Sequence, residues 1–272
     1  MWTTGIARYT SIRFAALNAH RSSEHAGFDP MRRSAVAAAS GLVQCVAMDF
    51  MKWLNSLGDL LYEVMSWLIF YPITLWRTIT SPLDTMGYSD RELQDSADEQ
   101  FTDTLNPPLF LVLSLLLTQA VDVALGGGSN PIIAQKTGLA AFVNDDTTLL
   151  ALRLVLFSLF PLMMAARFLR AKQVKLTRQR LKAPFYAQCY ACAPFALFLG
   201  FGISLGHTAI PGAAVASLVL SLGAVGAYLA AQTLWFSHHL QRGRLRSLLH
   251  AARAFVEATA AFLLLGLLFV VH

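Results

Sequence analysis

The sequence predicts an all-α, polytopic helical membrane protein, with about five transmembrane helices plus an N-terminal interfacial helix. Three observations predict it. The chain has 272 residues, 56% of them hydrophobic and only 14% charged, where an ordinary soluble domain carries about 25% charge. The apolar residues are segregated, with nearly all the long runs in 107–272 and ordinary composition before them. The lysines and arginines gather beside those runs and in alternate connections, as topology signals do. A soluble domain this apolar would expose large greasy patches and aggregate.

Residues 1–50 carry Arg8, Arg13, Arg21, Arg32 and Arg33, few acids, and no apolar core long enough for a secretory signal. Their composition allows a transit peptide, but they read better as a disordered or over-extended N-terminus, with translation beginning at Met48 or Met51, since MKWLNSLGDLLYEV looks like a natural start. Residues 51–83 hold the run Leu60 to Trp76, which is apolar and aromatic, shorter than the ~20 residues a span needs, and interrupted by Glu63 and Pro72. Trp67, Tyr71 and Trp76 suit the headgroup zone and Arg77 follows at once, so this region predicts an amphipathic helix lying on the cytoplasmic face. Residues 84–106 form an acidic cytoplasmic connector, with Asp84, Asp90, Glu92, Asp95, Asp98, Glu99 and Asp103 against Arg91. Its default reading is solvated. Ser89-x-x-Glu92 has capping-box spacing and predicts a short helix starting there.

Residues 107–272 form the five-span domain, with spans at about 107–125, 147–168, 184–205, 211–236 and 248–271. At ~1.5 Å per residue each can cross ~30 Å of hydrocarbon. They must be helices, because a backbone in lipid satisfies its own hydrogen bonds. Pro107 sits at a first turn, where its missing N–H costs nothing, and Pro161 predicts a kink in the second span. Between the second and third spans lie Arg167, Arg170, Lys172, Lys175, Arg178, Arg180 and Lys182, with no acid. Between the fourth and fifth lie Arg242, Arg244 and Arg246, while the other two connections hold only Lys136. Positive loops stay inside, which puts the N-terminus in the cytoplasm and His272 outside. The same placement of the basic residues speaks against a nucleic-acid partner.

Charges in lipid are costly and usually paired. Asp122 near the outer end of the first span and Arg153 in the second fall at similar depth, which predicts an ion pair, with Gln119 one turn deeper. This set is either a substrate contact or a staple between two helices. Glu257 follows Arg253 by four residues, a spacing that pairs them on one face. Gln188 and Gln232 fall at comparable depth on the third and fourth spans, near Tyr190 and Tyr228, so a polar pocket with Glu257 competes with simple interhelical hydrogen bonding. Gly202-x-x-x-Gly206 is a close-packing pattern, and Gly223, Ala227 and Ala231 make a second small ridge. Both predict tight packing of the third and fourth spans.

Cys189-x-x-Cys192 has redox spacing but no sheet beside it. Two thiols alone do not make a zinc site, which wants four ligands; His238-His239 could add ligands from the same side, but small apolar packing residues are the better reading of the cysteines. With Cys45 the count is three, which is no disulfide framework. There is no phosphate-cradling loop, no HExxH and no Ser–His–Asp order. These readings predict no enzyme, no metal and no cofactor.

The segments WLIFYPITLWRTITSPLDTMGY, DTLNPPLFLVLSLLL, PFYAQCYACAPFAL and HHLQRGRLRSLL resemble small bacterial membrane proteins labelled permease-like. The layout, a cytoplasmic N-terminal region, five spans and an outside C-terminus, resembles the Yip family. The resemblance runs from about Met51 to the end. It implies the bacterial inner membrane and transfers no site residues. The expectation is an integral inner-membrane protein, permease-like toward a small-molecule substrate that the sequence does not identify. The alternative is a non-catalytic organiser binding lipid or a protein partner. Beyond the lipid bilayer, a homo-oligomer is a partner to consider, because five spans lack the two-half repeat of many transporters.

Overall fold

The computed structural model describes residues 56–96, 100–125, 146–241 and 243–271. The N-terminal reading for 1–50 lies outside them. The chain divides into two units, Met1–Glu63 and Val64–His272, and the packing below belongs to the second. The described residues are helices and their connections, with no strand among them. They are α1 (residues 56–80), α2 (Pro82–Glu92), α3 (Pro107–Ala124), α4 (Asp146–Ala171), α5 (Arg178–Gly206), α6 (Ala213–Leu240) and α7 (Arg244–Val271). Five of them, α3 to α7, are long and apolar enough to cross a membrane, so the chain is compatible with a multi-pass membrane protein.

The helix ends follow local chemistry. Pro107 and Pro108 open α3 after Asn106, where orphan N–H groups are not missed. Thr177 caps α5, its hydroxyl accepting from the Arg180 N–H at 3.3 Å. Gly212 precedes α6 with φ +83°, a left-handed backbone that glycine adopts without strain. The expected span starts at Pro184 and Leu248 fall inside α5 and α7, which begin at Arg178 and Arg244. Hydropathy marks where lipid begins, whereas helical hydrogen bonding runs on through the basic turns outside it.

Helix α5 is central. It packs against α2, α3, α4 and α6, while α7 lies against α4 and α6. Small residues let it do so. A Cβ on Gly200 would sit 2.5 Å from Thr118 Cγ2 of α3, and one on Gly202 would sit 2.4 Å from Ser221 Oγ and 3.2 Å from the Ser217 carbonyl of α6. Gly206 faces Ser217 in the same way. Gly223 does not: a Cβ there meets nothing within 4 Å, and Gly223 and Ala227 are exposed. The ridge expected on α6 therefore points away from α5, and the buried stripe is Ala224, Tyr228, Gln232 and Trp235. The two stripes are one residue, about 100° of helix, apart.

Among its described residues the 84–106 segment is partly solvated, with Asp84, Asp95 and Asp103 exposed, and partly packed against the bundle. Ser89 ends a helix instead of starting one: α2 begins at Pro82, and the Ser89 hydroxyl donates back to the Met86 carbonyl at 2.9 Å. Met86, Ser89, Thr104 and Leu105 are buried. Glu92 accepts from the Phe101 N–H at 2.6 Å, turning the chain back toward the bundle. Tyr190 of α5 donates to the Leu105 carbonyl at 2.8 Å, and the Leu105 N–H donates to Thr74 of α1 at 3.2 Å. Asp90 is drawn into this packing, and burial raises its carboxyl above the usual carboxylate range against the opposing pull of Lys172. Along α1, Tyr71 meets Ser114 and Phe110 while Thr74 meets Leu105, so this stretch runs antiparallel to the start of α3. Its opposite side exposes Met65, Leu68, Ile69 and Trp76; alongside α3 this helix does not lie flat as the interfacial reading expects, and that apolar face suits lipid.

Candidate functional site

Two depths can be set by counting residues from the basic end of the bundle, where Arg167 and Arg170 close α4. Arg153 lies fourteen residues before Arg167, about 21 Å away at ~1.5 Å per residue. Asp122 lies fifteen residues into α3 from Pro107, about 22 Å by the same rise. The two meet. Arg153 Nη2 is 3.6 Å from Asp122 Oδ2, with side chains 28% and 13% exposed. Neutral groups hold each partner from behind. Arg153 Nη1 donates to the Gln119 side-chain carbonyl, and Ser204 of α5 donates to Asp122 Oδ1 at 2.9 Å. The pair thus links α3, α4 and α5. Ser204 was not singled out in the sequence, where it reads as one more small residue inside the Gly202–Gly206 pattern.

Beside this pair opens a cavity of about 690 Å³ whose wall draws on all five long helices. Asp122, Arg153, Ser204 and His207 supply its charged and polar end. Its body is aromatic: Phe157, Phe160, Phe195, Phe255 and Phe262. These rings contact one another, Phe160 with Phe195 at 5.4 Å and Phe157 with Phe262 at 5.6 Å, in the edge-on arrangements aromatic pairs favour. Thr259 of α7 also lines the cavity, and its buried hydroxyl has no hydrogen-bond partner among the described residues. The phenylalanines were invisible as a set in the sequence, because they come from three helices and each resembles a lipid-facing residue.

Toward the basic end, Gln188 and Gln232 are both fully buried and joined, Gln232 Nε2 donating to Gln188 Oε1. Tyr228 is close by, its ring stacked on Phe195 at 4.7 Å. The wider pocket expected there does not assemble. Tyr190 turns to the other side of α5, toward Thr104 and Leu105. Glu257 pairs with Arg253 at 2.8 Å on an exposed face, 36% and 66% exposed. The Arg253–Glu257 pair therefore lies apart from the amides. Seven residues before Glu257 on α7, His250 contacts Arg167 of α4 at 3.3 Å.

The paired amides leave Gln188 Nε2 and Gln232 Oε1 without a protein partner among the described residues. Removing one amide orphans the other, at about 1–3 kcal/mol, whereas replacing both by apolar groups can be near neutral. Thermal unfolding in detergent should show Gln188→Leu less stable than the double variant Gln188→Leu/Gln232→Leu. A double variant as unstable as the sum of its singles would mean the two side chains are not coupled.

Cys189 and Cys192 are buried and unbridged, packed in the core beside Tyr190. His239 lies against Trp235 with ring centres 3.7 Å apart. Among the described residues, no three His, Cys, Asp or Glu side chains converge as a metal site would require. No protein-family model, no curated protein and no solved structure matches this chain, so a reading of its function rests on the geometry.

Proposed function

We propose that the protein is a permease-like inner-membrane protein that takes a small solute into the cavity between α3 and α7. The carrying observation is that cavity: about 690 Å³, within the usual 300–1,000 Å³ of small-molecule sites, walled by five helices and headed by an ion pair. In this reading the basic loops lie in the cytoplasm, so the Asp122–Arg153 end faces outward and the amide pair faces inward. The rings of Phe160, Phe195, Tyr228 and Phe255, in mutual contact, close the path between them. The alternative of a scaffold recruiting lipid or a partner rests on the basic residues from Arg167 to Lys182, which topology alone explains. The cavity favours the first reading.

The test is thiol accessibility in a cysteine-free background carrying Leu199→Cys, a cavity-wall position. In intact cells a small membrane-impermeant thiol reagent should label it from outside. No labelling from either face, in cells or in inverted vesicles, would mean the cavity is closed to water and would remove the permease-like reading.

A further inference from the structure

The cavity's charges and its aromatic wall specify a class of ligand. The ion pair on the wall sums to zero, one charge from Arg153 and one from Asp122. They lie near the outer end of α3, about 22 Å from Pro107 at ~1.5 Å per residue, against an otherwise mostly apolar wall. A ligand with net charge would leave an uncompensated charge there, which is expensive. A zwitterion adds none: its cation can take Asp122 and its anion Arg153, exchanging one ion pair for two.

The geometry favours that exchange. At 3.6 Å the two charged side chains stand beyond the ~2.7–2.9 Å of a charge-assisted hydrogen bond. Gln119 and Ser204 hold them from behind, so Arg153 Nη2 and Asp122 Oδ2 are the atoms left to face a ligand. The ammonium and carboxylate of an α-amino acid are joined through a single carbon, which lets them engage opposite charges a few ångström apart. The rest of the wall is mostly apolar and aromatic, with Thr118 and His207 among it, and the Thr259 hydroxyl offers one further hydrogen bond.

A free amino acid and an aminophospholipid both carry such a head group. The cavity, at about 690 Å³, has the size of small-molecule sites, which favours the free amino acid, and the titration below separates the two. We infer that the cavity binds a free α-amino acid with a bulky apolar side chain, its ammonium on Asp122, its carboxylate on Arg153 and its side chain among Phe157, Phe195 and Phe262. This rests on the cavity being a solute site, as proposed above.

The experiment is calorimetric titration of the full chain in phosphatidylcholine nanodiscs. The ligands are L-phenylalanine, L-tryptophan and L-leucine, the single-charge analogues phenylacetate and phenethylamine, and short-chain phosphatidylethanolamine. The amino acids should bind at least tenfold more tightly than either single-charge analogue. Thr259→Val, a near-isosteric change expected to fold, should weaken them several-fold, and Arg153→Gln should abolish binding. An analogue binding as well as its parent amino acid would overturn the inference, and so would phosphatidylethanolamine binding while the amino acids do not. If none of the zwitterions binds although Leu199→Cys is labelled from outside, the ligand class is wrong and the solute cavity stands. If Leu199→Cys is also closed, both fall.

Discussion

Gly202→Leu should drive α5 and α6 apart and cost the protein more than 3 kcal/mol of stability, while Gly223→Leu should be tolerated. The first Cβ already meets Ser221 Oγ at 2.4 Å and backbone of α6 at 3.2 Å. The serine hydroxyl can rotate, but the Ser217 carbonyl and Ser221 N–H cannot move without moving the helix. Overpacking a close contact typically costs about 1–3 kcal/mol, and a whole isobutyl group at a backbone-to-backbone approach belongs above that range. At Gly223 the added side chain enters open space and exchanges glycine for a residue about 1 kcal/mol better in a helix. Size-exclusion profiles and thermal unfolding in mild detergent would separate the two. Equal damage from both substitutions would mean that α5 and α6 do not pack through Gly202.

That contrast also marks where a sequence stops being informative about a bundle. Glycines spaced four apart locate a close approach on α5, because the four-residue ridge follows the helix surface whatever lies opposite. They do not say which ridge of α6 answers. The small residues Gly223, Ala227 and Ala231 and the mixed stripe Ala224, Tyr228, Gln232 and Trp235 differ by one position, and lipid accepts either face. Gly200, against Thr118, has no second glycine four residues away, only Ala196 and Ser204, so the glycine pattern did not single it out.

Depth was easier to read than direction. The charge asymmetry of the loops sets which residues share a level, and it places Asp122 with Arg153, and Gln188 with Gln232. It carries no information on azimuth. Tyr190 and Glu257 accordingly face away from the amide pair, Tyr190 toward Leu105 and Glu257 toward Arg253. The 84–106 segment misled for a different reason. Its seven acids suggest solvent, yet the short residues among them, Thr85, Ser89 and Thr104, bury against the bundle by bonding to backbone or to Tyr190. Composition averages over the faces of a helix and hides such an arrangement.

A charge swap at the head of the cavity should separate structure from recognition. Asp122→Asn leaves Arg153 with Gln119 alone, and Arg153→Gln leaves the carboxylate with Ser204 alone. Orphaning one partner of a buried pair costs about 3–5 kcal/mol, and the partial exposure here, 13% and 28%, should bring each single variant to about 1–3 kcal/mol. The double variant Asp122→Asn/Arg153→Gln should cost less than the sum, because neither charge is left behind. The swapped pair Asp122→Arg/Arg153→Asp should also recover stability. Its flanking groups can serve either sign: the Gln119 amide turned over donates to a carboxylate, and the Ser204 hydroxyl accepts from a guanidinium. Additive single costs would show that no ion pair forms. Where the cycle shows coupling, ligand binding decides the pair's role. A staple between α3 and α4 works in either orientation, so the swap would restore stability and solute binding together. A recognition pair reads the ligand's polarity through the fixed position of the aromatic wall. The swap would then restore stability and leave binding lost, which is the outcome the geometry of Asp122, Arg153 and the rings beneath them leads us to expect.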